Sequence, residues 1–367
     1  MPVKKACVND FLIFEEFCNM SCAYCEGFYG TGLKLKRKGS KLVLPDAIKK
    51  KINDDPVLML TIGDEPNVRD VFRVSQGVLH AIDLEFKPDV LKISGGEIFI
   101  VPEMVGFIED VSRDYSSVQI LTNGSLLDRK KLRKIADIGN VSFQVSLDGA
   151  TFETNAARAR SKAMHERVME AIGSIRDYGF PLEINCVLTK HNTGRFGETV
   201  EYFSGFEKTK IYPRPVRGKP RDVLFPEREQ SLEFERYCER TESHVLPPKP
   251  YLKRVSTVLS GGCRQWPCYV PEFVLGTDCY GRVKSCTGIE DHNDIGAVFS
   301  WKFDLRNKAP VCAPFTGICG ECINQYEMYN LFVDGEITAS TLKAEGFFPT
   351  AIETAAGIKA ELKKCGY

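Results

Sequence analysis

A chain of 367 residues is long for one domain and short for three, so one large domain with a smaller appendage is expected. Lys plus Arg and Asp plus Glu each number 49, a zero balance that gives no whole-protein field favouring nucleic acid or an anionic membrane. No apolar run approaches the roughly 18 residues of a membrane span, and the start MPVKKACVNDFLIFEEF lacks a signal-peptide core, so a soluble cytoplasmic protein is expected, in which 14 cysteines point to metal or redox chemistry rather than disulfides.

In chain order, the apolar runs FLIFEEF (11–17), VLKIS (90–94), VQILT (118–122), VSFQVSL (141–147), LEINCVL (182–188) and KIYPRP (210–215) read as strands. Helical spacing marks 68–86, 102–114, 128–138, 158–178 and 195–205, as with Met164, Val168, Ala171, Ile172 and Ile175. Alternation of this kind predicts right-handed βα units and a parallel sheet, either open or partly closed into a barrel. The first domain runs to about residue 215. A connector over 216–260, whose many prolines and charges are expected to break periodic structure, leads to a cysteine-rich region at 261–340 and a last helix at 341–367. The insert 26–60 carries Lys34, Lys36, Arg37, Lys38 and Lys41 and reads as a basic lid over an acidic substrate or as a solvated loop.

Ligands of parallel sheets sit at the C-terminal strand ends, and the distinctive residues fall there. Cys18 follows the first strand, Gly95-Gly96-Glu97 the second, Thr122-Asn123-Gly124 the third, Ser146-Leu147-Asp148-Gly149 the fourth and Lys190-His191-Asn192 the fifth. Cys18, Cys22 and Cys25 have the spacing C-x3-C-x2-C, and three soft thiolates suit iron–sulfur or zinc. A zinc site completed by Cys7 or a histidine is the alternative on that motif alone. Three ligands are one fewer than a closed cubane needs, which would leave one iron open to a substrate or cofactor.

The cysteine motif, with Tyr24 before its last cysteine, resembles the signature of the radical SAM superfamily, and the other rim motifs match that family in order across the first domain. The resemblance implies a partial (β/α)6 TIM-like barrel with a catalytic [4Fe–4S] cluster on Cys18, Cys22 and Cys25. Its open iron would chelate S-adenosylmethionine (SAM), which is cleaved to a 5′-deoxyadenosyl radical that abstracts hydrogen. It also implies SAM contacts at Tyr24, Ser94, Gly95, Gly96, Glu97, Asn123, Ser146, Asp148 and Arg158. Asn155 stands where relatives often have Asp.

Cys268, Cys286, Cys319 and Cys322, with Gly281 in a turn between the first two, resemble the twitch or SPASM extensions of that family. The resemblance implies an auxiliary [4Fe–4S] cluster on these four, with Cys263, Cys279 and Cys312 as further candidates for it or for a second one, joined by Cys365. A four-cysteine zinc ribbon is the alternative reading. The expected substrate is a peptide or protein side chain, modified by oxidation, crosslinking or epimerisation. A small-molecule dehydrogenase or epimerase, for example of an aminocyclitol or sugar, is the other reading in the family, and a non-catalytic iron–sulfur or zinc protein the reading outside it. An electron donor such as flavodoxin or ferredoxin is expected, and no nucleic acid or membrane partner. Cys186, Cys238 and any spare cysteine of the second group are candidate hydrogen-atom donors, and Glu290, Asp291 and His292 candidate bases near Thr287.

Overall fold

The computed structural model describes residues 5–15, 17–25, 36–38, 41–43, 49–50, 67–218, 221–284, 286, 294–297 and 318–366. Six parallel strands form in the expected order: β1 (Val8–Leu12), β2 (Val90–Ser94), β3 (Ser117–Thr122), β4 (Val141–Ser146), β5 (Leu182–Leu188) and β6 (Thr209–Pro215). Each pairs with the next, Val8 opposite Val90 and Phe143 opposite Leu182. Helices α1 (Val68–Phe86), α2 (Met104–Val111), α3 (Arg129–Ala136), α4 (Lys162–Asp177) and α5 (Phe196–Phe203) connect β1 to β6. Local chemistry sets their starts. Asn67 and Asp70 form a capping box on α1, Asp128 accepts from the Lys131 N–H on α3, and Ser161 from the Met164 N–H on α4. Their apolar stripes, such as Val78, Ile82 and Phe86 of α1 and Val168, Ile172 and Ile175 of α4, are buried against the sheet.

Two expectations need correction. The first strand is Val8–Leu12 rather than 11–17, because the chain leaves the sheet at Phe14, whose φ of 52° is left-handed. Ile13, Phe14 and Phe17 are fully buried all the same, so an apolar run that reads as strand packs as loop. The connector is not irregular. It holds α6 (Arg228–Arg240) and α7 (Lys249–Leu259), and its prolines stand at their starts, Pro226 ahead of α6 and Pro248 and Pro250 at the first turn of α7, where no N–H is needed.

The cysteine-rich region continues the same sheet. β7 (Val274–Asp278) lies parallel on the other side of β1, with Val274 opposite Val8, and β8 (Arg282–Lys284) and β9 (Asp294–Ala297) follow antiparallel. The nine strands run β9-β8-β7-β1-β2-β3-β4-β5-β6. The segment entering α8 (Glu327–Asp334) crosses the lumen: Gln325 accepts from Arg214 of β6, and the Tyr326 hydroxyl donates to Asp10 of β1 at 2.9 Å. At the N-terminal strand ends, α9 (Ala339–Ala344) and α10 (Pro349–Lys364) cover the sheet. There Glu345 pairs with Lys210 at 2.8 Å, and Phe347 meets Tyr329 edge-on at 5.4 Å. Of the basic insert, Lys36–Lys38 and Lys41–Val43 pair antiparallel, while Lys34 lies outside the described residues. Among the described residues, no helix is long and apolar enough to cross a membrane.

Candidate active site at the C-terminal strand ends

Cys18, Cys22 and Cys25 lie on the loop after β1, and all three line a cavity of about 430 Å³ that also takes in Ser94, Gly95, Gly96, Asn123, Ser146 and Arg158. Backbone contact from β2 holds this loop. A Cβ on Gly95 would stand 2.1 Å from the Ile13 carbonyl oxygen and one on Gly96 2.0 Å from that of Phe17, so no side chain fits at either position. The Glu97 N–H donates to the Phe17 carbonyl at 2.5 Å and the Ile13 N–H to that of Ser94 at 2.8 Å. From β3, the Asn123 amide donates to Asn19 at 2.9 Å and to Cys18 Sγ at 3.9 Å. On the far side, the Ala23 N–H donates to the Ala157 carbonyl at 2.7 Å and Arg160 to that of Ser21 at 3.1 Å.

Burial pushes the Cys18 thiol up to about 11 and raises that of Cys22, which Arg158 partly offsets. Thiolates in such surroundings need cationic partners. Cys18 Sγ accepts from the Met20 N–H at 3.4 Å as well as from Asn123, the kind of donor environment that suits a metal-bound thiolate. Among the described residues no three His, Cys, Asp or Glu side chains converge on a single-ion site.

Two carboxylates sit behind the cavity wall. Asp148, 1% exposed, accepts from Tyr24 at 2.5 Å on one oxygen, and on the other from Arg158 at 3.1 Å and the Val187 N–H at 3.0 Å. It therefore aims Arg158 and Tyr24, whose guanidinium and ring lie 5.4 Å apart. Glu97, also 1% exposed, accepts from the Asn123 and Phe99 N–H groups at 2.7 and 3.1 Å and from the Thr122 hydroxyl at 2.8 Å. Burial raises its pKa against those three donors. It ties the ends of β2 and β3 together, and at this motif it is the two glycines that face the cavity.

Two asparagines that motif reading did not assign a role complete the support. Asn155 accepts from the Asp148 N–H at 3.0 Å, and Asn192 donates to the Asp148 carbonyl at 2.7 Å. Both are fully buried, and a buried amide in a loop beside a motif acid is the signal that marks them. Cys186 is buried on β5 with its thiol on the Asp148 carbonyl at 3.2 Å, whereas its neighbours Asn185 and Val187 line the cavity. Strand alternation thus turns it away from the cavity. Cys238 is buried on α6.

In the second group, Cys286 lines the same cavity. Cys322 Sγ accepts from Arg217 at 3.1 Å and Asn324 at 3.7 Å, and Cys268 Sγ from Asn330 at 3.9 Å. Burial pushes the Cys268 thiol up to about 12, with Arg264 opposing. Cys319 begins the turn that closes on Cys322. Cys263 and Cys365 are exposed and Cys279 is buried, while Cys312, Thr287, Glu290, Asp291 and His292 lie outside the described residues.

A family model described as the radical SAM superfamily matches residues 12–203, more than half of the chain. The chain belongs to the radical SAM superfamily. With that membership come a [4Fe–4S] cluster and SAM, for which the donor set around Cys18 is suited. Among radical SAM relatives, the chain is 25% identical over 246 residues to the mycofactocin maturase MftC of Mycobacterium tuberculosis, covering 63% of each protein. It is 20% identical to the antilisterial bacteriocin subtilosin biosynthesis protein AlbA of Bacillus subtilis, covering 68% of this chain and 61% of that one. It is 27% identical to the PqqA peptide cyclase of Rhizobium meliloti over 42% of this chain and 40% of that one. The chain thus spans less than two thirds of the length of each. The solved structure of native anSMEcpe with bound AdoMet and Cp18Cys peptide shares the fold, with a TM-score of 0.52 at 16% identity, covering 96% of this chain and 99% of that one.

Proposed function

We propose that this radical SAM enzyme abstracts a hydrogen atom from a peptide or protein side chain, as a maturase that oxidises, crosslinks or epimerises its target. The observation that carries the reading is one cavity lined together by the three loop cysteines, Gly95-Gly96, Ser146, Arg158 and Cys286. The roles of the relatives, a mycofactocin maturase, a bacteriocin biosynthesis protein and a peptide cyclase, support a peptide target.

In this reading Cys18, Cys22 and Cys25 hold the catalytic cluster, which when bound supplies the electron that cleaves SAM to methionine and a 5′-deoxyadenosyl radical. Gly95 and Gly96 let backbone groups approach SAM, and Arg158, aimed by Asp148, pairs with its carboxylate through a planar fork. Ser146 meets the ribose and Tyr24 neighbours the adenine. Residues 261–340 form an auxiliary unit in which Cys268, Cys286, Cys319 and Cys322 hold a second cluster. Flavodoxin or ferredoxin serves as electron donor. A cysteine hydrogen donor for epimerisation has to come from a residue other than Cys186, which faces away from the cavity.

The test is 5′-deoxyadenosine formation by the reduced, reconstituted protein supplied with SAM. Product above that of a Cys18→Ala, Cys22→Ala, Cys25→Ala variant is expected. Equal amounts from both proteins would refute catalysis.

A further inference from the structure

Below the cysteine loop the cavity continues into the barrel lumen, where Lys92 of β2, Gln144 of β4, Asn185 of β5, Arg214 of β6 and Gln325 meet. Lys92, Gln144 and Gln325 are 4%, 0% and 5% exposed. The acids of this layer are occupied. Asp10 accepts from the Ser94 hydroxyl at 3.3 Å and from Tyr326 at 2.9 Å, and Glu183 accepts from Gln119 at 3.0 Å and from the Gln144 amide.

The donors are not. Among the described residues, Lys92 Nζ has no hydrogen-bond or ion-pair partner and rests 5.0 Å from the Tyr326 ring centre. Arg214 Nε and Gln325 Nε2 have no partner either, although Arg214 Nη2 donates to Gln325 Oε1 and stands 3.9 Å from Glu183. Gln144 Oε1 and Asn185 Oδ1 are acceptors left open in the same layer. Lys92 and Arg214 balance Asp10 and Glu183 in charge, so selectivity falls to the open hydrogen-bonding ends, and the charged ones among them are donors. Buried polar groups of a native protein are almost always paired, and a layer open on several at once marks a place a ligand completes.

We propose that this layer is a carboxylate subsite for the substrate. The carboxylate accepts from Lys92 Nζ, Arg214 Nε and Gln325 Nε2, while the Gln144 and Asn185 carbonyls accept N–H groups of the adjoining peptide. The proposal rests on the radical SAM reading, because it places a substrate anchor beneath the loop that would hold the cluster. Burial lowers the Lys92 pKa against Asp10 and Glu183, and a carboxylate at Nζ favours its charged form. An acidic side chain of the substrate or its free α-carboxylate can supply the group.

Ligand-observed NMR on the reconstituted protein with SAM separates these sources, using acetyl-Glu-amide, acetyl-alanine and acetyl-Gln-amide as probes. One of the two carboxylate probes should bind about tenfold more tightly than acetyl-Gln-amide, as charge-assisted hydrogen bonds are stronger than neutral ones. Which of the two binds better names the source. Lys92→Met and Gln325→Leu should each abolish the preference while SAM still binds in the same sample, and circular dichroism checks folding of both. Equal affinity for all probes, binding of none at millimolar concentration, or a preference that survives the folded variants overturns the subsite. Failure of the unmodified protein to bind SAM instead overturns the reading beneath it, and this proposal with it.

Discussion

At the scale of single residues, Asp148 is the side chain that positions Tyr24 and Arg158, two of the proposed SAM contacts. Asp148→Asn keeps its shape and removes the charge that compensates a buried guanidinium. Breaking such a pair costs about 3–5 kcal/mol, so the urea midpoint should fall clearly. SAM affinity should fall about tenfold, the worth of one charge-assisted bond, with iron content unchanged. Equilibrium dialysis and iron analysis would check this, and a variant with normal SAM affinity would show that Arg158 needs no aiming. Gly96→Ala acts on the loop instead. Its methyl cannot coexist with the Phe17 carbonyl 2.0 Å away, and the purified protein should hold less iron and sulfide than the wild type. The types and places of the rim residues were legible in the sequence, because each motif is local to one strand end. The inward turn of Glu97 and Asp148 was not, because Asn123 and Val187, whose N–H groups occupy them, lie 26 and 39 residues further along the sequence.

At the scale of elements, apolar periodicity alone located β2 to β6 to within about one residue at each end and α1 to α5 to within about four. Where the reading failed, a local signal had two meanings: an apolar run that packs as loop at Phe14, and prolines that start helices instead of ending them. The junction of α7, α8 and the 264–268 turn shows no local signal at all. There Glu327, 1% exposed, pairs with Arg254 at 2.6 Å and Arg264 at 2.5 Å and accepts from the Trp266 indole at 2.5 Å. Arg264 also donates to the Cys322 carbonyl at 2.6 Å, which links this junction to the second cysteine group. Glu327→Gln removes the carboxylate that Arg254 and Arg264 share, although Arg254 keeps Asp334 and Glu336, and should destabilise the protein by about 3 kcal/mol in urea unfolding. Iron should be lost from the second site before the first. Preferential loss from the Cys18 site would contradict that linkage.

For the whole molecule, metal content reports the number of clusters. A cubane carries about four irons and as many sulfides, so one catalytic and one auxiliary cluster give about eight of each per molecule. The Cys18→Ala, Cys22→Ala, Cys25→Ala variant should keep about four of each, all of it at the second cysteine group. Zinc without sulfide in that variant would make the second site a zinc ribbon.

The pairing of β1 with both β2 and β7 also bears on how the protein folds. Val8 meets Val90 early in synthesis, but its other partner, Val274, is made only when most of the polypeptide has emerged. Until then, the strand that leads into the cysteine loop presents a bare edge, the kind of surface that pairs with other polypeptides. Closing so distant a contact is slow, because the entropy of the intervening segment is lost before any pairing energy is gained. Completion of the cysteine loop therefore belongs to the end of folding, and nascent polypeptides that stall before β7 are the species most exposed to aggregation.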